Sequence, residues 1–110
     1  MDKRGQFAEV IAAYCRHGWE VRRALMTADT LAATSGHIPM FENLPVRESS
    51  IDALWFARPS ENQREAWELR LVAETPYALF EAFESDETEE QREEVRREME
   101  ARMREYTAKD

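Results

Sequence analysis

A thiol and an imidazole lie two residues apart, at Cys15 and His17, and such a pair can act as nucleophile and base in covalent catalysis. Two steps along an α-helix rotate by about 200° around the helix axis, so these side chains cannot face each other. The chain has one cysteine, which excludes an internal disulfide and is typical of a reducing compartment. We therefore predict a buried or half-buried thiol, no catalytic residue, and a cytoplasmic protein.

The chain also lacks the residues that usually bind a metal or a cofactor. Zinc sites need several cysteines or histidines at short spacing, whereas this chain has one Cys and two His. Its three glycines stand too far apart for a phosphate-binding loop. Carboxylates near the start of the last predicted helix suit a hard cation, but the helix dipole alone favours acids there. These carboxylates are Asp86, Glu87, Glu89, Glu90, Glu93 and Glu94. We predict neither a metal nor a cofactor.

The formal net charge is −8, and most of it lies near the C-terminus. Residues 1–75 carry 9 basic and 11 acidic groups, a net of −2, while residues 76–110 carry 6 and 12, a net of −6. A net negative chain repels phosphate backbones, which disfavours nucleic acid as a partner. Apolar runs such as ALWFA at 53–57 are far too short to cross a membrane. These features predict a soluble protein with neither nucleic acid nor membrane as a partner.

The spacing of apolar residues changes along the chain and predicts both helices and strands. Phe7, Val10, Ile11 and Tyr14 recur at helical spacing, and Gly18 follows them as a helix stop. Alternation with a period of two then predicts extended segments. The predicted elements are a helix over 2–17, strands over 19–26, 51–58 and 66–73, a short helix opened by Thr75 and Pro76 that carries Leu79, Phe80 and Phe83, and a long helix from Ser85 and Asp86 to about Tyr106.

These elements predict an α+β fold, a small three-stranded antiparallel sheet covered by the N-terminal helix and the C-terminal helices. The second strand is apolar on both faces, which predicts the central place in a meander of the three strands in chain order. In the first strand, Trp19, Val21 and Leu25 are expected on one face, which Arg23 interrupts.

The predicted core domain covers residues 1–84 and contains an unusually long connection, 27–50. Connections of this length are uncommon unless they carry structure or function. A short helix over 29–34 that ends at Gly36 is expected, followed by an apolar stretch. Three roles stay open for the connection: a lid on a pocket, a contact with a second subunit, or cover for the second face of the sheet. Residues 85–110 form a charged C-terminal helix of the same domain or a dimer contact.

The last predicted helix carries a narrow apolar stripe on a highly charged background. The stripe consists of Val95, Met99, Met103 and Tyr106. Stripes at this spacing pack against a partner, which is either the sheet of the same chain or a second copy. We therefore predict a small domain that works by protein association, as a homodimer or with another protein, and without catalysis.

Two other function classes are compatible with the sequence. The first is a small-molecule-binding protein or enzyme with a pocket under the 27–50 connection, lined by Tyr14, Phe41 and Trp55. Aromatic residues at this spacing are also typical of a plain hydrophobic core. The second is an effector or antitoxin-like protein whose acidic tail mimics nucleic acid and binds a basic protein.

Overall fold

The structure, a computed structural model, describes residues 2–38 and 43–108 and confirms the α+β class. A 3-10 turn over Glu61–Gln63 connects the third and fourth strands. The helices and strands in chain order are α1 (Lys3–Cys15), β1 (Glu20–Met26), α2 (Ala28–Thr34), β2 (Val46–Glu48), β3 (Ala53–Pro59), β4 (Glu65–Leu71), β5 (Ala78–Phe83) and α3 (Glu89–Ala108).

The sheet has five strands in the order β2-β1-β3-β4-β5. β1 pairs with β2 in parallel, and the other neighbours are antiparallel. The predicted meander is confirmed for β1, β3 and β4, and the doubly apolar β3 is central, as expected for a strand buried on both faces. The prediction of a purely three-stranded antiparallel sheet was wrong, because β2 and β5 extend the meander at its two edges.

The stretch after Thr75 and Pro76 is strand β5, whereas a short helix was predicted. A proline after a threonine is a good helix start, but the following residues also alternate. Leu79 and Phe83 pack into the cluster under α3, and β4 supplies hydrogen bonds along the whole of β5. Pairing with β4 therefore outweighs the local helix signal, as tertiary context often does.

β1 contains a bulge that the alternation pattern did not predict. Its register with β3 shifts between Val21 and Arg23, so that Arg22 is the extra residue. Because of this shift, Val21 packs on the α1 side of the sheet while Leu25 packs on the α3 side. Trp19, Val21 and Leu25 therefore do not share a face, contrary to the prediction.

The sheet lies between α3 on one face and α1 with α2 on the other, and each face has its own core cluster. The α3 side is built around Trp55, Trp67 and Leu69, and the α1 side around Phe7, Leu54 and Phe56. Trp55, Phe56 and Leu54 are fully buried, because β3 is covered from both sides. The molecule therefore has three layers, with one apolar cluster between each pair of neighbouring layers.

The long connection contributes structure at both of its described ends. Thr27 is the N-cap of α2, and its side chain accepts from the Thr30 amide. The buried carboxylate of Asp52 accepts from the Thr27 amide and the Thr30 hydroxyl. Ile38 is buried in the α1-side cluster, so this part of the connection covers the second face of the sheet. Further on, the connection forms β2. Phe41 lies outside the described residues.

α3 begins slightly later than predicted. Thr88 and Gln91 form a reciprocal capping box, in which each side chain accepts from the other residue's amide. The predicted cap at Ser85 and Asp86 precedes this point and belongs to a turn. In the described part of the chain, no helix combines the length and the apolar character needed to cross a bilayer.

Candidate association surface

β5 is one of the two edges of the sheet, and its backbone shows which residues face outward. The amide of Leu71 donates to the carbonyl of Tyr77, which identifies this cross-strand pair as hydrogen-bonded. Hydrogen-bonded and non-bonded pairs alternate in an antiparallel ladder. Following the β4–β5 register, alternate residues bind β4, and the residues between them direct their amide and carbonyl groups outward. The outward-facing residues are Ala78, Phe80 and Ala82.

Phe80 stands at the middle of this edge and is 58% exposed, the highest value among the large apolar side chains in the described part of the chain. Its ring meets that of Trp19 edge to face, with centroids 6.5 Å apart. An exposed aromatic residue on an unpaired strand edge is typical of a site of strand addition. We refer to the open edge of β5, together with the Phe80 and Trp19 rings, as the β5 surface.

The opposite edge of the sheet has the features that discourage strand pairing. β2 is only three residues long and carries the exposed Arg47 and Glu48. Short, charged edge strands are a common protection against edge-to-edge association. Arg47 also pairs with the buried carboxylate of Glu100, whose other oxygen accepts from the Trp55 indole at 2.8 Å. The two edges therefore differ strongly, and only β5 is long and apolar.

The predicted interaction stripe on α3 packs against the sheet of its own chain. Met103 is fully buried, Met99 is 2% exposed, and Val95 packs against the same cluster. Tyr106 is 40% exposed, and its ring stacks on that of Tyr77 with centroids 3.7 Å apart. Of the two partners considered for the stripe, the sheet of the same chain occupies it here.

α3 is further attached through a buried guanidinium. Arg96 is 1% exposed, and its Nη1 donates to Glu89 at 2.8 Å and to Glu93 at 2.9 Å. The guanidinium lies 3.9 Å from the ring centroid of Trp67, a close cation–π contact. Glu93 also accepts two hydrogen bonds from Arg23, and those bonds are the main reason that the pKa of Glu93 is lowered.

Tyr14 lies on the α1 side of the sheet, where its ring stacks on Phe56 with centroids 4.1 Å apart. Its hydroxyl donates to the carboxylate of Glu68. The pKa of Tyr14 is raised well above the ordinary tyrosine value, first by burial and then by the neighbouring Glu68 carboxylate. A small cavity of about 250 Å³ adjoins this pair and is lined by Ala13, Tyr14, His17, Trp19 and Glu68.

The predicted pocket residues do not come together as expected. Trp55 is completely buried in the cluster on the α3 side, whereas Tyr14 lies on the α1 side. The sheet separates the two rings, so they do not line one pocket. Phe41, the third member, is outside the described residues. The cavity beside Tyr14 lies at the C-terminal end of α1.

Replacing Tyr14 by Phe is expected to lower the free energy of unfolding by about 1–2 kcal/mol, because a hydrogen bond to a carboxylate is lost. A raised folded-state pKa stabilises the fold below the unfolded-state pKa and loses that contribution as the pH rises through the folded-state value. The difference between wild type and variant should therefore be largest below about pH 10 and shrink above it. Urea unfolding at several pH values measures this, with Tyr106→Phe as the exposed control. Equal effects of the two changes would contradict the contribution assigned to Glu68.

Cys15 and His17, the pair considered for covalent catalysis, lie close to the C-terminal end of α1. Cys15 is exposed at the end of α1, not buried as predicted, and His17 follows it in an exposed turn. Within residues 2–38 and 43–108, no group of three or more His, Cys, Asp or Glu side chains is arranged to hold a metal ion.

Phe80 was not predicted as a site residue, because a short helix was predicted where β5 lies. A period of two was present in YALFEAF, where Tyr77, Leu79 and Phe83 fall on one face of a strand and the small residues Ala78 and Ala82 on the other. The chain matches no protein-family model, no curated protein and no solved structure.

Proposed function

We propose that this protein works by association rather than by catalysis, and that its partner is a second copy of the same chain in the cytoplasm. The observation that carries the proposal is the open edge of β5, six residues long, with Phe80 exposed at its centre. Free amide and carbonyl groups give affinity for an extended strand, and an exposed aromatic side chain adds apolar contact.

The buried charged groups support an association function, because each has a structural partner. Asp52 binds the start of α2 and pairs with Lys3 at 3.0 Å, while Arg96 pairs with Glu89 within α3 and lies over the Trp67 ring of β4. Glu100 is neutralised by Arg47 and accepts from the indole of Trp55. Catalytic sites typically leave an ionisable group free to meet a substrate. These three groups are used to hold the fold together.

Two exposed aromatic residues allow a matched test of the surface. Phe80 is on the β5 surface, while Tyr106 belongs to the α3 stripe. We expect wild type to have twice the chain mass at high micromolar concentration by light scattering. Phe80→Lys should weaken the dimer more than tenfold, since the two symmetric copies of the residue place two charges in the interface. Tyr106→Lys should leave the dimer intact.

Two results would contradict the proposal. One is a wild-type protein that stays monomeric over the whole concentration range. The other is a dimer that survives Phe80→Lys but is lost with Tyr106→Lys, which would assign the contact to α3. Circular dichroism of both variants checks that each is folded.

A small-molecule-binding function is the second candidate, and the cavity beside Tyr14 is the observation in its favour. Its lining combines aromatic faces with the carboxylate of Glu68 and the imidazole of His17. At about 250 Å³ it is slightly smaller than the usual range for ligand pockets, which begins near 300 Å³. A metabolite that raises the melting temperature of wild type but not of a Glu68→Ala variant would support this function.

A further inference from the structure

The β5 surface has a self-complementary pattern, and this pattern specifies how two copies meet. Building on the proposed function, we infer that two β5 strands pair antiparallel around Phe80, so that two five-stranded sheets become one ten-stranded sheet. Three properties of the edge favour this arrangement: which backbone groups are free, where the single charge lies, and which side chains are small.

The free backbone groups restrict the possible registers. Ala78, Phe80 and Ala82 face outward, while the residues between them are hydrogen-bonded to β4. Two strands related by a two-fold axis can form hydrogen bonds only if outward-facing residues meet outward-facing residues. The residue numbers of each pair must therefore sum to an even value, and the candidate sums are 158, 160 and 162.

The number of hydrogen bonds favours a sum of 160. In that register Phe80 meets Phe80 of the partner subunit, and Ala78 meets Ala82 of the partner subunit, with the reciprocal pair completing the set. Three pairs with two hydrogen bonds each give six in all, because every outward-facing residue is used. The sums 158 and 162 use two such pairs, which gives four.

The charge on β5 favours the same register. Glu81 is the only charged residue of the strand. With a sum of 162 it would lie opposite Glu81 of the partner subunit, in a non-bonded pair where side chains are closest, and like charges there are unfavourable. With a sum of 160 it lies opposite Leu79 of the partner subunit. The repulsive alignment is thus avoided.

The side chains next to Phe80 fit this geometry. Ala78 and Ala82 flank Phe80 on the same face of the strand, and alanines leave room for the aromatic ring of a second chain. Both copies of Phe80 then lie side by side near the two-fold axis, on the α1 side of the joined sheet. Cross-strand aromatic pairs of this kind stabilise antiparallel sheets.

Disulfide cross-linking tests the register directly, in a Cys15→Ser background with oxidised glutathione as the oxidant. In a hydrogen-bonded antiparallel pair the Cα atoms are about 5.5 Å apart, within disulfide reach. Phe80→Cys alone should therefore form a covalent dimer. A mixture of Ala78→Cys and Ala82→Cys proteins should also cross-link, in up to about half of the chains because random pairing gives that share. Ala78→Cys alone and Ala82→Cys alone should not cross-link.

Phe80→Cys also removes the Phe80 ring, which could itself weaken the dimer. The mixture of Ala78→Cys and Ala82→Cys proteins keeps that ring and therefore tests the register independently. Efficient cross-linking of Leu79→Cys alone would show the register in which paired residue numbers sum to 158. Efficient cross-linking of Glu81→Cys alone would show the register with a sum of 162. Either result would overturn the inferred register. A protein of twice the chain mass that forms none of the expected disulfides would also overturn it while leaving association intact. A monomeric mass for wild type would instead remove the proposed function.

Discussion

Arg96→Ala is expected to lower the free energy of unfolding by about 3 kcal/mol. The change removes two charge-assisted hydrogen bonds, worth about 1.5–3 kcal/mol for a hydrogen bond to a charged group when it is buried. It also removes a desolvated cation–π contact with Trp67, worth about 2 kcal/mol. The expected loss of stability is smaller than the sum of these contributions, because Glu89 is exposed and Glu93 keeps its hydrogen bonds to Arg23.

The adjacent Arg97 is a matched control, since it lies on the same helix and is exposed. Arg97→Ala should change the unfolding free energy by less than about 0.5 kcal/mol, as surface substitutions usually do. Arg96→Met separates the contributions, because it keeps the aliphatic packing on Trp67 and loses the charge together with its hydrogen bonds. Urea unfolding followed by tryptophan fluorescence measures all three variants. Equal losses for Arg96→Ala and Arg97→Ala would contradict the role of the buried guanidinium.

The penalty of Arg96→Ala should also depend on pH. The lowered pKa of Glu93 means that its carboxylate stabilises the fold above its ordinary value of 4.5, and this contribution is lost as the pH falls. Once Glu93 is protonated, an arginine beside it contributes less. The difference between wild type and variant should therefore narrow in acid.

Met103→Ala is expected to cost about 2–5 kcal/mol, the usual range for truncating a fully buried methionine. The loss arises because Met103 belongs to the cluster between α3 and the sheet, and its truncation leaves a cavity there. Met103→Leu, which conserves volume, should cost less than about 1.5 kcal/mol. Chemical unfolding gives these values.

The same variant separates the two roles considered for the α3 stripe. If the stripe packs within the chain, Met103→Ala lowers stability and leaves the dimer constant unchanged under folding conditions. If the stripe were the contact between subunits, the dimer would dissociate while the unfolding free energy of the isolated monomer stayed the same. Light scattering together with unfolding therefore distinguishes the alternatives.

Long patterned segments were predictable from the sequence, and edge elements were not. α1, β3, β4 and the body of α3 each carry a complete hydrophobic pattern, and β1 carries one that its bulge interrupts. β2 has only three residues, which are too few to carry a hydrophobic pattern of their own. They form a strand because they pair with β1. β5 has a helix-like start and becomes extended only because β4 offers it a partner.

The candidate surface depends on the least predictable parts of the fold. Phe80 appears in a helix pattern as one more core residue, and its exposure follows only from the position of β5 at the edge of the sheet. Likewise, the α3 stripe is visible in the sequence, but the choice between intramolecular and intermolecular packing depends on whether the sheet offers it a matching face. That face is formed by residues distant in sequence, such as Trp55 and Trp67.

Because of the bulge at Arg22, the number of residues in β1 determines which side chains face each layer of the molecule. The bulge shifts the phase of the side-chain alternation, so Val21 packs on the α1 side while Arg23 reaches Glu93 on α3 and Leu25 packs in the cluster under α3. A substitution in this strand alters one contact. A change of chain length by one residue would instead reverse the phase of half the strand, exchanging its charged and apolar positions. Indel tolerance at this point should thus be far lower than in the loops.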